Sequence, residues 1–433
     1  MKKKHVQQAA ALLLFGGAML MLSAGRDPLE ETKKIWIWTK PEIYPQPIPG
    51  DLDVHTLSTL LDTGNLQWYL PRPEEGEWDA VAAMKIHAPP DLVWKVVTDY
   101  ERYPEYMPDT LLESKTLSRQ GNEVKNWHRA VNSILNFEYN YEILDMVTED
   151  PPDHLHSETL EGGLKGRQID WILVPMDQNQ NTLIFLRHYP HIKSMGVTVR
   201  AVLAVLPMIE WPVSASAANY ILRGYKQKAE RLVGYTPPPE PAGLFYQALD
   251  IETLRKLDRS SCGLIRETPE GKTINGLTYI FIDAPAPVVW EVLTDFENYH
   301  RTFKECQLQI EKREGNGVWA RLKTSSFSIL IFSFGMELHN LYTLEPPDHL
   351  SIRTIDGLYQ GSASDYQILP LGSGSKTLLF HSVGLNLERD SSLTMRMVKS
   401  GAFPATTMMC LTVSRTELSS VKEEAEKRAR AKL

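Results

Sequence analysis

The sequence predicts an α+β protein in which one domain has been made twice. Residues 88–103 (APPDLVWKVVTDYERY) return as residues 284–299 (APAPVVWEVLTDFENY), and EDPPDHL at 149–155 returns as LEPPDHL at 344–350. Ala88 and Ala284 are 196 residues apart, while Pro151 and Pro346, like Trp171 and Tyr366, are 195 apart. A spacing that drifts by one residue over eighty positions marks a duplicated domain. Solenoid repeats run to about 20–50 residues, so that architecture is excluded. The second observation is the order of hydrophobic patterns, which is the same in each copy: a strand, two short helices, several antiparallel strands, a long helix.

Each element has a local reason. The opening strand (81–86; 277–282) ends at Ala-Pro, and the proline starts a helix, because its missing N–H costs nothing in a first turn. That helix ends near Asp99 or Asp295, and each Asp is expected to cap a second short helix. Glu314-Gly-Asn-Gly317 signals a hairpin turn. In the run Phe137-x-Tyr139-x-Tyr141-x-Ile143, apolar residues alternate with Glu138, Asn140 and Glu142, which predicts a half-buried strand. Its counterpart is Phe332-x-Phe334-x-Met336-x-Leu338, predicted in the same register. A long helix closes each copy, from Pro212 to about Leu232 and from Pro404 to about Ala429.

Proline-rich punctuation gives the domain plan. Residues 1–25 read as a signal peptide, from the basic start Lys2-Lys-Lys4, the short apolar run Ala9–Leu22 and the small exit residues Ser23-Ala24-Gly25. The run is too short to span a bilayer, and no Cys follows it as a lipid-anchor site. Export, to a periplasm, is the expected localisation. Residues 26–49 form a Pro-rich segment, 50–236 the first domain, 237–246 a Pro-rich linker and 247–433 the second domain. Three cysteines, all in the second copy, do not make a disulfide framework; a Cys262–Cys306 bridge is left open, as is the pairing of Cys410. Net charge is −8 with both signs interspersed, which argues against nucleic acid as a partner. In the terminal stretch, Glu423 faces Lys427 and Glu424 faces Arg428 at helical spacing, a solvated helix end.

The element order and the opening motif resemble the START-like helix-grip superfamily. Ala-Pro-Pro-x-x-Val-Trp and Thr-Asp-Tyr-x-x-Tyr-Pro of the first copy, with Gly162 to Gly166 followed by Trp171-x-x-x-Pro175 and Thr182, look like its polyketide-cyclase and coenzyme-Q-binding branch. In the second copy Tyr366 stands for Trp171 and His300 for Pro104. The resemblance implies two tandem helix-grip domains, each a curved antiparallel β-sheet wrapped around its long C-terminal helix, with an apolar cavity between them. It does not fix a function, since one scaffold of this kind hosts many.

The cavity implied by the resemblance would be lined by Phe137, Tyr139, Tyr141 and Trp171 in the first copy. In the second it would be lined by Phe332, Phe334, Met336, Tyr366, Phe403, Met408 and Met409, with Met395 and Met397 nearby. Clustered methionines suit irregular apolar ligands. No catalytic residue, metal or cofactor is expected. His128, with Lys323 taking its place in the second copy, lacks a recognisable polar orienter. His188-Tyr-Pro-His191 has two of the ligands a zinc site needs, and Gly162-Gly-Leu-Lys-Gly166 reads as a turn. Arg187, His188 and His381 are candidates for the polar mouth of a cavity. The expected function is a binding or carrier protein for a hydrophobic small molecule or lipid, in transient contact with membranes; the sequence leaves the oligomeric state open. A cyclase or dehydratase enzyme using the same cavity, and a protein-interaction module with a closed one, are the alternatives.

Overall fold

The computed structural model describes residues 54–62, 64–72, 77–108, 110–134, 137–189, 191, 210–236, 251–257, 263–267, 274–304, 306–324, 327–329, 332–334, 337–357, 360–384 and 405–432. It divides into two compact units, residues 35–264 with 400–405 and residues 265–399 with 406–433. The signal-peptide reading, the segment 26–49 and the linker 237–246 lie outside the described residues.

The first unit opens with helix α1 (Val54–Leu61), strand β1 (Asn65–Arg72) and strand β2 (Glu77–Ile86). Helix α2 (Pro90–Val97) follows, then a 3₁₀ turn at Tyr100–Arg102 and the single turn α3 (Tyr103–Tyr106). Six strands come next: β3 (Leu111–Gln120), β4 (Glu123–Ile134), β5 (Phe137–Asp150), β6 (His154–Gly162), β7 (Gln168–Met176) and β8 (Asn181–Tyr189). The long helix α4 (Glu210–Val233) closes the fold, and the short helix α5 (Ile251–Leu257) also belongs to this unit. The strands form an antiparallel sheet in the order β1-β2-β8-β7-β6-β5-β4-β3, and α4 packs across β2 and β8. Ala218, Leu222, Tyr225 and Ala229 recur every three or four residues along α4 and share one core with Met84, Leu155, Trp171 and Leu186 of the sheet. That spacing puts them on one helix face.

The second unit repeats the plan. Strands β9 (Gly263–Glu267) and β10 (Ile274–Ile282) precede α6 (Ala286–Thr294), a 3₁₀ turn at Phe296–Asn298 and α7 (Tyr299–Thr302). Then come β11 (Cys306–Glu314), β12 (Gly317–Thr324), β13 (Phe327–Ile329), β14 (Phe332–Phe334), β15 (Glu337–Glu345), β16 (His349–Gly357), β17 (Ala363–Leu371), β18 (Lys376–Gly384) and α8 (Ala405–Ala431). The main sheet runs β9-β10-β18-β17-β16-β15-β12-β11. Both copies are sheet-and-helix domains of the α+β kind, as the repeated pattern predicts.

Three expectations need correction, and one left open is answered. Asp99 and Asp295 occupy the N-cap positions, yet neither side chain makes a capping bond. Asp99 accepts from Tyr106 Oη at 2.9 Å, and Asp295 from Asn298 at 2.9 Å and Arg428 at 2.7 Å; each ties its short helix to a neighbour. The Phe332–Leu338 run is not one strand like β5. Phe332–Phe334 pairs with Phe327–Ile329 in a separate two-stranded sheet, and β15 begins only at Glu337. Lys427 pairs with Glu424 at 3.0 Å, and Arg428 bridges Glu424 to Asp295, so that helix end is partly docked. Cys306 is a half-buried thiol outside any disulfide.

The sheet bends where β5 meets β6 and where β15 meets β16, at register shifts next to Leu144 and His339. A glycine sits at each bend. Gly162 has φ +101° and Gly357 φ +96°, and an added Cβ would meet Glu142 O at 1.9 Å or Glu337 O at 2.7 Å. Gly162→Ala should therefore lower the melting temperature substantially, by the equivalent of about 1–3 kcal/mol. Gly357→Ala should lower it less, because its contact is the looser one. Thermal unfolding of both variants followed by circular dichroism checks the ranking.

Candidate functional site

In the second domain the helix face that meets the sheet is not wholly apolar. Ser414, Leu418, Val421 and Ala425 of α8 are buried, and Glu417 precedes Leu418 on that face. Ser414 Oγ donates to the His381 carbonyl at 3.2 Å and meets His381 Nδ1 at 2.9 Å. A serine hydroxyl has one proton. Once it is given to the carbonyl, Nδ1 must carry the ring proton and Nε2 is the acceptor, which Ser364 Oγ meets at 2.5 Å. Thr278 Oγ1 also bonds Ser414 Oγ.

Tyr366 lies flat on the His381 ring, with centroids 4.0 Å apart and planes 2° from parallel. Its hydroxyl donates to Glu417 Oε2, and that oxygen is 3.5 Å from His381 Nε2. Burial holds His381 neutral, its pKa pushed down to about 3. Desolvation pushes the Glu417 carboxyl up to about 7, against the bond from Tyr366. Even so, 32% of the Glu417 side chain remains accessible.

The first domain has no such cluster at the matching positions. Register pairs Thr278 and Tyr366 with His381, and Ala82 and Trp171 with Leu186. The helix stripes match with Ala218 at Ser414 and Ile221 at Glu417, while Ile169 stands at Ser364. All six polar positions of the second domain are thus apolar or indole in the first. The His–Ser pairing recurs there one step away: Ser214 Oγ donates to His188 O at 3.0 Å and meets His188 Nδ1 at 3.1 Å. The residue in register with His188 is Val383.

The first domain places its polar groups elsewhere. Asp145 accepts from Thr159 Oγ1 at 2.5 Å and Arg167 at 2.6 Å, with His128 Nε2 at 3.7 Å. Tyr103 stacks on His128 and packs against Tyr225. Among the described residues, His128 Nδ1, Trp171 Nε1 and Tyr225 Oη have no hydrogen bond of normal geometry. Burial lowers the His128 pKa to about 4 and the His188 pKa to about 3. The second domain has Asn340 at Asp145 and Ser362 at Arg167. Register sets Leu322 opposite Leu338 as His128 is opposite Ile143. Lys323 is therefore not the counterpart of His128; it is exposed and pairs with Glu337. The shift arises at the hairpins before β4 and β12, where bulges fall differently in the two copies.

Among the residues expected to line a cavity, Trp171 and Tyr366 are buried in the two cores, and Tyr141 is half-buried on β5. Phe137, Tyr139, Phe332, Phe334, Met408 and Met409 lie in described strands or helices, but their side chains are outside the description, as are Met336 and Phe403 altogether. Arg187 is not a mouth residue. It alternates with His188 on β8, so it points to the opposite sheet face, where it pairs with Asp170 at 2.7 Å. His191 Nδ1 is 2.6 Å from Lys165 O. Among the described residues no group of three or more His, Cys, Asp or Glu is placed to hold a metal. Glu417 was legible only as an acid on the buried stripe of α8. Arg167, Asp145 and Ser364 follow from sheet register alone.

Residues 86–212 and 282–422 both match the family model described as polyketide cyclase / dehydrase and lipid transport, and the chain belongs to that family. No curated protein matches the chain. Similar solved structures include the di-domain ARO/CYC StfQ from the steffimycin biosynthetic pathway, at 11% identity over 81% of this chain and 99% of that one, TM-score 0.28. The Zhui aromatase/cyclase from Streptomyces sp. R1128 is 19% identical over 36% of this chain and 94% of its own, TM-score 0.27. A STAR-related lipid transfer protein from Xanthomonas axonopodis is 14% identical over 39% and 94%, TM-score 0.30.

Three of the buried histidines, His128, His188 and His381, fix the sign of the acid response. Each is held below its ordinary 6.5, so unfolding takes up protons and stability falls as pH drops from 6.5 towards about 4. His188→Gln should flatten that slope by about 1.4 kcal/mol per pH unit. Glu417 acts in the opposite direction, because its pKa is raised from 4.5 to about 7. Stability drawn from it falls as pH rises through that window, and Glu417→Gln should remove this part. Urea unfolding between pH 4 and 8 measures both slopes.

Proposed function

We propose that the protein is an exported carrier that holds an apolar ligand between sheet and long helix, chiefly in the second domain, without transforming it. One comparison carries this reading. Leu322, Leu338, Leu344 and Ile352 are only partly buried on the inward sheet face, whereas the first-domain residues in the same places, His128, Ile143, Glu149 and Ser157, are buried. The second interior is lined with apolar groups that the described residues leave partly open. Such surface gains about 25 cal/mol per Å² when a ligand removes it from water. Family membership supports the same reading, because the family description includes lipid transport. The STAR-related relative is by its name a lipid transfer protein. Export is part of the proposal and rests on the N-terminal pattern, with transient membrane contact for loading.

A second reading is favoured by one observation. Glu417, Tyr366 and neutral His381 form a hydrogen-bonded set able to hold a proton near neutrality, which suits a cyclase or dehydratase.

Native mass spectrometry of protein purified from its own host, with extraction of the bound molecule, should find a lipid or polycycle retained at near-stoichiometric level. Mature protein should start near Arg26. In vitro, Leu322→Glu should reduce uptake of a fluorescent lipid at least tenfold with the circular dichroism spectrum unchanged, since a charge facing an apolar ligand costs several kcal/mol. Unchanged uptake, or turnover of an extracted ligand by purified protein, would overturn the carrier reading.

A further inference from the structure

We propose that the second domain orients its ligand by one acceptor oxygen, a carbonyl on an otherwise apolar body, which takes a hydrogen bond from the Glu417 carboxyl. The inference rests on the reading of that interior as a ligand site and adds the chemistry of the group it recognises.

Ser414 gives its proton to the His381 carbonyl, and His381 Nδ1 gives its own to Ser414. Ser364 gives its proton to Nε2, and Tyr366 gives its proton to Glu417 Oε2. With Ser414 already donating, Thr278 gives its proton to Ser414 Oγ, and every hydroxyl and ring proton of the cluster is then committed inside it. What remains uncommitted is the carboxyl proton of Glu417, which with Ser364 is one of the two members of the cluster that are not fully buried. A protonated carboxyl offers one O–H donor, and half-buried Leu308, Leu322, Phe303 and Ile352 pack against the same core as Tyr366, which bonds Glu417, and Leu418, which follows it. A donor in such walls selects a carbonyl and rejects a carboxylate, whose charge would be unpaired.

The titratable groups facing Glu417 are Tyr366 on β17, His381 on β18, Tyr342 on β15 and Tyr299 on α7, with Cys306 on β11 beside the three tyrosines. On its own helix, Arg415 is directed at the Tyr279 carbonyl. Burial raises all three tyrosines and holds His381 neutral, so none of these four changes charge between pH 5.5 and 8.0. Glu417 does, since its pKa lies near 7. The first domain has Ile221 in its place.

A matched pair of probes tests this on the full-length chain: 2-acetylnaphthalene, which has a carbonyl, and 2-ethylnaphthalene, which does not. Affinities are measured by titration calorimetry at pH 5.5 and 8.0. The ketone should bind roughly tenfold more tightly at pH 5.5 than at 8.0, the worth of one neutral hydrogen bond, while the hydrocarbon binds equally at both. Glu417→Gln keeps an N–H donor, so it should retain the preference for the ketone and lose its pH dependence. Glu417→Leu should abolish the preference at both pH values without weakening the hydrocarbon. If both probes bind but the preference is missing, or survives in the leucine variant, the assignment of Glu417 is wrong and the carrier reading stands. If neither probe binds, the carrier reading falls and takes this inference with it.

Discussion

Ala218, Leu222, Tyr225 and Ala229 in one domain, and Ser414, Leu418, Val421 and Ala425 in the other, lie along the helix face pressed onto the sheet. That contact places every other interior feature. Small residues at the first and last positions let the helix approach closely, and the larger ones between fill the trough of the sheet. Full burial of a leucine or valine is worth about 1.5–3 kcal/mol, so these side chains dominate the attraction between the layers. The ends are then fixed by polar bonds present in both copies. Thr182 and Thr377 donate to the carbonyls of Ala88 and Ala284 at 2.8 and 2.7 Å. Glu230 and Glu426 accept from the backbone N–H of His87 and Asp283, both at 3.0 Å. The duplicated Ala-Pro corner is thereby locked to the last strand on one side and to the long helix on the other.

Within that frame the two interiors have taken different polar groups. Tyr100 of the first domain donates to Glu149, which also holds Arg119; the second has Phe296, beneath Arg313, and Leu344. Asp145, Arg167 and His128 correspond to Asn340, Ser362 and Leu322. In return, Thr278, Ser364, Tyr366, His381, Ser414 and Glu417 correspond to Ala82, Ile169, Trp171, Leu186, Ala218 and Ile221. The first interior is closed by ionic pairing and tightly buried. The second has fewer charges, more leucine, and one accessible carboxyl.

The fold was legible because duplication and periodicity are properties of the chain itself: APPDLVW and its copy locate the first helix, and the closing helices show their apolar stripes. Hairpin chemistry was legible too, since Gly315 and Asn316 form the loop between β11 and β12. The register of distant strands was not. Bulges at Leu111–Glu113 and Thr116–Ser118 in one copy, and only at Ile310–Lys312 in the other, move the pairing by one residue. One residue turns a side chain to the other face, which is why Lys323 looked like the partner of His128. The capping role of Asp99 and Asp295 was half right for a similar reason. Position is local, but the choice between a backbone N–H and Tyr106 or Arg428 depends on where the other elements lie. Arg187 and His188 are neighbours in sequence and stand on opposite faces of the sheet.

The pattern of differences has an energetic logic. A buried hydroxyl or imidazole without a partner costs about 1–3 kcal/mol, whereas a completed hydrogen bond gains only about 0.5–1.5. A polar network inside a core is therefore stable when whole and unfavourable when halved. His381 without Ser414 and Ser364 would bury two open ring nitrogens, and Ser414 in the first domain would face Leu186. Exchange of any single member between the domains is destabilising in either direction. Exchange of the whole set costs little, since Ala82, Ile169, Leu186, Ala218 and Ile221 pack without polar atoms. Two copies of one frame thus admit two self-consistent interiors, with intermediate mixtures disfavoured. The His–Ser pair shows the same rule at smaller scale: in moving from Leu186/Ala218 to His188/Ser214 it shifts two residues along the strand and one turn along the helix together, and its two hydrogen bonds are retained. What distinguishes the second interior is that its network ends in a carboxyl, Glu417, that is only partly covered, in a domain whose core is edged by partly buried leucines.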